Sequence, residues 1–341
     1  MDVFTPKQRL LRVLKKEGVE RPPVICPGGM MNAAIVDIMK KTGHTLPQGH
    51  HSSDLMSELA YDVYQNTGFE NFGIPFCMTV EAEVLGSEIN YGTLECEPKI
   101  QKERFASSDQ VVFVPGGSMA KAKRVQAVID SIYRLSRQNP DVPAIGTLTG
   151  PLSTAGSIVD PMTFLKQLRR DKEVSHRLMH YVSTQLIEYA RLMADNGAAV
   201  IAIADPTATG EILGPKMFGE YAVPYLNMVT DAVHSMGLPV IIHICGEMKS
   251  VTAMLAELHG DAISADAFVS LKKMKEENKN ITTMGNLSTY LLEFGKIDGV
   301  IHSTEKLIRD RIDIIAPACG LSTSTPLKNI VAFTQTVAEV E

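Results

Sequence analysis

The sequence predicts an α/β chain folded as a (β/α)8 barrel, the TIM barrel, with a helical extension at its N-terminus and a short extended insertion after the second strand. Three observations carry this expectation. Short β-branched runs alternate with longer helical patterns along nearly the whole chain, the signature of successive βα units around a parallel sheet. The runs can be counted as eight, the number that closes such a barrel. A chain of 341 residues with 45% apolar composition can bury one large core. No repeat, low-complexity tract or Pro/Gly/Ser linker divides it, so residues 1–341 read as a single domain.

In chain order, an opening helix containing Thr5-Pro6-Lys7-Gln8-Arg9-Leu10-Leu11 precedes the first run, Val24–Cys26, and the second spans Asn71–Ile74. The segment Thr79–Tyr91 breaks the βα rhythm and reads as extended, with a turn near Gly86-Ser87 over one side of the barrel mouth. Further runs follow at Ala144–Leu148, Ala199–Ala204, Val240–Ile244, Ala262–Ala265, Thr282–Met284 and Asp313–Ala316. Between the third and fourth, Leu178, Val182, Leu186, Tyr189 and Met193 recur at three- and four-residue steps, which predicts a helix over Glu173–Asp195 with one stripe facing the sheet. Gly197 should stop that helix, and Thr325 followed by Pro326 at the first helical position should start the last one.

A formal charge of -6 with no block of consecutive Lys or Arg gives no footprint for nucleic acid or an anionic membrane. Met1–Gly18 scatters Lys7, Arg9, Arg12, Lys15 and Lys16 among isolated apolar residues, unlike a secretory signal. No later run approaches the roughly 20 apolar residues of a membrane span. The expected location is the cytoplasm, and the expected partners are small molecules or proteins. Five cysteines, an odd number in a chain of this size, point to metal ligation or burial rather than disulfides.

Pro239-Val240-Ile241-Ile242-His243-Ile244-Cys245-Gly246 is the most informative segment. Strand side chains alternate, so Val240, Ile242 and Ile244 should meet the helices while Ile241, His243 and Cys245 face the lumen. The two polar groups fall at the strand's C-terminal end, where catalytic groups of this fold gather. Cys319, in Ala316-Pro317-Ala318-Cys319-Gly320, lies just past the last run, so closure brings it to the same mouth. Two cysteines and one histidine with an open fourth position form a catalytic zinc arrangement, and soft thiolates favour zinc over magnesium or calcium. The competing reading is that these cysteines are buried as small hydrophobes.

Cys26, Cys77 and Cys96 have no histidine or cysteine at ligand spacing and read as packing residues, with Cys26 nearest the mouth. His44, His50 and His51 fall in a Gly/Pro-punctuated loop and are expected to be solvated. Among 17 methionines, most of which should fill core gaps, Met30 and Met31 are placed to cover the mouth and meet a flat apolar partner.

These residues resemble the uroporphyrinogen decarboxylase-like superfamily and, within it, the methylcobamide:coenzyme M methyltransferases, over essentially the whole chain. The carriers are the opening helix running into Arg21-Pro22-Pro23-Val24, the stretch from Pro75 through Cys77-Met78-Thr79-Val80-Glu81-Ala82-Glu83 to Gly92, and Ile201-Ala202-Ile203-Ala204-Asp205-Pro206. His243-Ile244-Cys245-Gly246, Gly285-Asn286 and Pro317-Ala318-Cys319-Gly320 complete them. The loop Cys26-Pro27-Gly28-Gly29-Met30-Met31-Asn32 has no arginine to neutralise the carboxylates of a porphyrinogen, which argues against a decarboxylase.

The resemblance implies a zinc-dependent transfer of a methyl group from a methylated corrinoid to a thiol such as coenzyme M. Two thiolates and a neutral histidine bring zinc to zero net charge, which lowers a thiol ligand's pKa yet leaves its sulfur nucleophilic. No B12-binding segment is visible, so a separate corrinoid-binding protein would supply the donor. Asp266 would be an occasional zinc ligand or would orient His243 by accepting its second ring N–H. Asp205 and Asn286 would position substrate or cap local structure, and Glu81 and Glu83 are mouth candidates whose ordinary place is a solvated face. Tetrahydrofolate or another thiol are alternative acceptors. A zinc hydrolase with Asp266 as general base is a competing chemistry, weakened because thiolates make zinc a poorer Lewis acid. A partner-binding barrel without catalysis is a third reading.

Overall fold

The computed structural model describes residues 4–340. The chain opens with a helix, Pro6–Leu14, started by a reciprocal capping box in which Thr5 Oγ1 accepts from Gln8 N and Gln8 Oε1 accepts from Thr5 N. Nine strands follow among the described residues: β1 (Phe72–Ile74), β2 (Glu88–Asn90), β3 (Lys99–Lys102), β4 (Ala144–Thr149), β5 (Val200–Ala204), β6 (Val240–Ile244), β7 (Ala262–Ala265), β8 (Thr283–Leu287) and β9 (Ile314–Pro317). Seven of them form one curled parallel sheet in the order β1-β4-β5-β6-β7-β8-β9, and β2 and β3 pair antiparallel on their own. β4 to β7 are buried at every position, as expected of a sheet covered on both faces.

The expected first strand, Val24–Cys26, is reduced to a single parallel bridge between Val24 and Ile315. The cause is local: Pro22, Pro23 and Pro27 have no N–H to donate, so a regular ladder cannot run through the segment. Hydrogen bonds still hold it between β9 and β1. Ile25 N donates to Ile315 O at 3.0 Å and Ile315 N to Pro23 O at 2.9 Å. On the other side, Glu70 N donates to Val24 O, Val24 N donates to Glu70 Oε2, and Asn71 accepts from Cys26 N at 2.8 Å while donating to Cys26 O at 2.9 Å. Side chains thus replace part of the missing ladder. Glu70 also receives Arg9 at 2.6 Å and Arg21 at 2.7 Å, tying the opening helix to this seam.

The insertion is only half extended. Val80–Val84 forms a short helix, because Glu81, Ala82 and Glu83 are good helix formers and their carboxylates find partners underneath the segment. Gly86, at φ +105°, then turns the chain into β2, which pairs with β3. The long helix spans Lys172–Asp195, and its five stripe residues are each 1% exposed or less. Gly197 ends it at φ +99° with its N–H on Ala194 O. The last helix, Leu327–Ala338, begins one residue later than expected. Pro326 occupies the capping position, and the orphan N–H of Leu327 is taken by the Asp37 carboxylate at 3.0 Å rather than by Thr325. No described helix is long and apolar enough to cross a membrane.

Replacing Asn71, which is 2% exposed, leaves both backbone groups of Cys26 buried without partners. Asn71→Ala is expected to lower unfolding free energy by about 2–4 kcal/mol, read from urea denaturation. A loss below about 0.5 kcal/mol would show that water replaces the amide at the seam.

Candidate metal centre at the strand ends

β6 carries His243 as its penultimate residue and delivers Cys245 one residue past its end. β9 delivers Cys319 two residues past its own end, where Ala318 N, bonded to Leu287 O at 2.8 Å, fixes the departing chain. The two cysteines are 74 positions apart, yet their sulfurs lie 2.7 Å from each other. One ring nitrogen of His243 and both sulfurs fall within 4.8 Å of one another. His243 is 2% exposed, its Nδ1 lies 2.9 Å from Ser264 Oγ, and its Nε2 is buried with no hydrogen-bond partner.

An orphaned imidazole nitrogen facing two thiols has the donor set of a zinc site. Tetrahedral zinc sets sulfur ligands about 3.8 Å apart given Zn–S bonds of about 2.3 Å, so the two thiols would part by about 1 Å around an ion. The contact with Cys245 lowers the pKa of Cys319, while that same contact and burial raise Cys245.

Asp266 lies just beyond β7. Its Oδ2 is 3.8 Å from Cys245 Sγ and 3.4 Å from Gly246 N, so it touches one member of the triad and is not the group bonded to His243. Ser264 occupies that place. Asn286, on β8, gives both N–H bonds to the loop after β7, at Asp266 O and Val269 O, each 2.8 Å. Asp205 is fully buried, with its carboxylate receiving Leu152 N, Ser153 N and Ser153 Oγ at the N-terminus of the helix Pro151–Ile158. Burial nevertheless raises its pKa to about 6.

Glu81 is not solvated. It is 2% exposed and bonds Thr149 N at 2.7 Å and Thr149 Oγ1 at 3.1 Å, and burial raises its pKa to about 7. Glu83 pairs with Arg124 at 2.5 Å and accepts from Tyr91. The structure also corrects two other expectations. His50 is buried, with both ring nitrogens unpartnered and its pKa pushed down to about 3 by burial, whereas His44 binds Asp62 and His51 packs edge-on against Tyr91. Cys77 and Cys96 line, with Cys319, Met30 and Tyr290, a cavity of about 690 Å³ at the mouth. Cys77 accepts from Arg124 Nη2 at 2.9 Å, and Cys96 is exposed. Cys26 is buried as expected, its thiol bonded to Met31 O, and Met31 is buried with it.

A family model described as uroporphyrinogen decarboxylase (URO-D) matches residues 5–340. The chain belongs to the URO-D family. Within that family it is 30% identical over 332 residues to the methylcobamide:CoM methyltransferase MtbA of Methanosarcina acetivorans, covering 97% of this chain and 96% of the relative. It is 30% identical to MtaA of Methanosarcina barkeri strain Fusaro, covering 98% and 97%. A solved structure of a methyltransferase from Methanosarcina mazei superposes with a TM-score of 0.92 at 29% identity, covering 98% of this chain and 99% of that one. The resemblance read from the motifs therefore stands at the level of family, and the chain is a methyltransferase.

Glu81 generates a test of the buried charge. A carboxyl raised from 4.5 to about 7 holds more protons in the folded than in the unfolded state between those values, so its contribution to stability falls as pH rises through them. Glu81→Gln keeps an acceptor for Thr149 N and removes the charge. It is expected to be more stable than wild type at pH 8 by on the order of 1–3 kcal/mol, with the difference gone at pH 4. Equal stability at both pH values in thermal melts would show that Glu81 is not destabilised by burial.

Proposed function

We propose that this methyltransferase takes a methyl group from a methylated corrinoid carried by a separate protein and passes it to a thiol held at a zinc ion bound by His243, Cys245 and Cys319. The observation carrying this reading is the convergence of an orphaned His243 Nε2 and two thiols at the ends of β6 and β9. The relatives' names supply the donor, a methylcobamide, and coenzyme M as the acceptor. Bound there, zinc would supply a Lewis-acidic centre, neutral overall with its two thiolates and histidine, that acidifies a thiol and leaves its sulfur nucleophilic.

The chain's own residues do the rest. Ser264 and Asn286 fix the histidine and the neighbouring loop, and Cys319 lines the adjoining cavity. Met30 and Tyr290 add apolar surface to that cavity, and at about 690 Å³ it has room for a small thiol and an approaching methyl donor. The five free cysteines suit a reducing compartment, and we place the protein in the cytoplasm.

Purified wild type should hold one zinc per chain by elemental analysis and should demethylate methylcobalamin when given coenzyme M, followed by corrinoid absorbance. Cys245→Ala and Cys319→Ala should each lose the metal and at least about 100-fold in rate, as expected when a metal ligand is removed. Turnover with tetrahydrofolate but no thiol would move the acceptor assignment. Zinc retained in both variants would defeat the shared site.

A further inference from the structure

We propose that Ser264 is the positioning residue that presents His243 to the metal, and that it does so as a neutral hydrogen-bond acceptor. The assignment rests on the zinc reading above. The parallel register between β6 and β7 sets Ser264 directly against His243. The 2.9 Å contact between Ser264 Oγ and His243 Nδ1 is made between residues 0% and 2% exposed, so bulk water does not compete for either atom.

A neutral imidazole carries one N–H. When Nδ1–H is donated to Ser264, the lone pair sits on Nε2, the nitrogen with no protein partner and the two sulfurs as neighbours. The reverse tautomer would leave Nε2 no lone pair to offer a metal. A metal-ligating histidine usually gives its second N–H to a carboxylate, a backbone carbonyl or a water. Here the nearby carboxylate, Asp266, lies against Cys245 and Gly246 N and does not reach His243 Nδ1, which bonds Ser264. A hydroxyl fixes ring and tautomer without adding a negative charge to a site that already has two thiolates. Ser264 thus fixes the histidine without changing the charge of the ligand set.

The test is zinc affinity of the full chain, by competition with a chromophoric chelator, for wild type, Ser264→Ala and Ser264→Thr. Ser264→Ala should bind zinc about 10–100-fold more weakly, and Ser264→Thr, which restores the hydroxyl, should recover to within about threefold. Because a folding defect alone could weaken binding, the His243 ring is read as well. In nitrogen-15 spectra, wild type and Ser264→Thr should show a protonated Nδ1, and Ser264→Ala should lose that slowly exchanging proton. Unchanged affinity in Ser264→Ala, or a proton found on Nε2 in the wild type, overturns the assignment while leaving the zinc site intact. A wild-type chain that takes up no zinc overturns the zinc reading and this inference together.

Discussion

Each strand of a parallel sheet is placed by its neighbour's backbone, and at the mouth of this protein that placement decides which side chains can meet. Ala204 pairs with His243, His243 with Ser264, and Asn286 with Ala316. Shifting β7 by one residue against β6 would turn Ser264 away and put Ala265 beside the imidazole, since strand side chains alternate. The thiols depend on the same ladder. Cys245 and Cys319 are held only by short departures from β6 and β9, so their separation is set by how far round the sheet those two strands lie. Rigidity in the sheet is what allows three residues from distant parts of the chain to share one point in space.

The seam near Val24 shows the same economy in another form. Prolines strip donors from the segment that would be the first strand, and the polar side chains of Glu70 and Asn71 take over the bonding. That carboxylate also gathers Arg9 and Arg21, so the opening helix and the sheet share one buried ionic centre. A buried carboxylate is stable only when its charge is matched, and here two guanidinium groups match it.

Much of the barrel was legible because its strands are short β-branched runs bounded by glycine or proline. Val240–Ile244 and Ala262–Ala265 occupy the expected residues. The convergence of His243, Cys245 and Cys319 was legible too, since alternation and the C-terminal position of each residue need no knowledge of contacts. Other features needed the third dimension. The inward position of Ser264 could be guessed from parity, but its place opposite His243 needed the strand register. His50 sits in a polar, turn-rich stretch, and local composition says nothing about what packs over it. The burial of Glu81 is hidden for the same reason, because the backbone N–H and hydroxyl of Thr149 that donate to it lie far along the chain.

Arg124 deserves a mechanical reading. Its guanidinium bonds Cys77 on the cavity wall, Thr79 nearby and Glu83 on the short helix, and it lies over the ring of Tyr91, where the insertion begins its outer loop. One rigid, planar cation thereby couples the wall of that cavity to a loop on its outside. Perturbations at Tyr91 and at Cys77 reach the same group from opposite sides. Their effects cannot be independent, and the insertion can drift in sequence only as far as this shared cation tolerates.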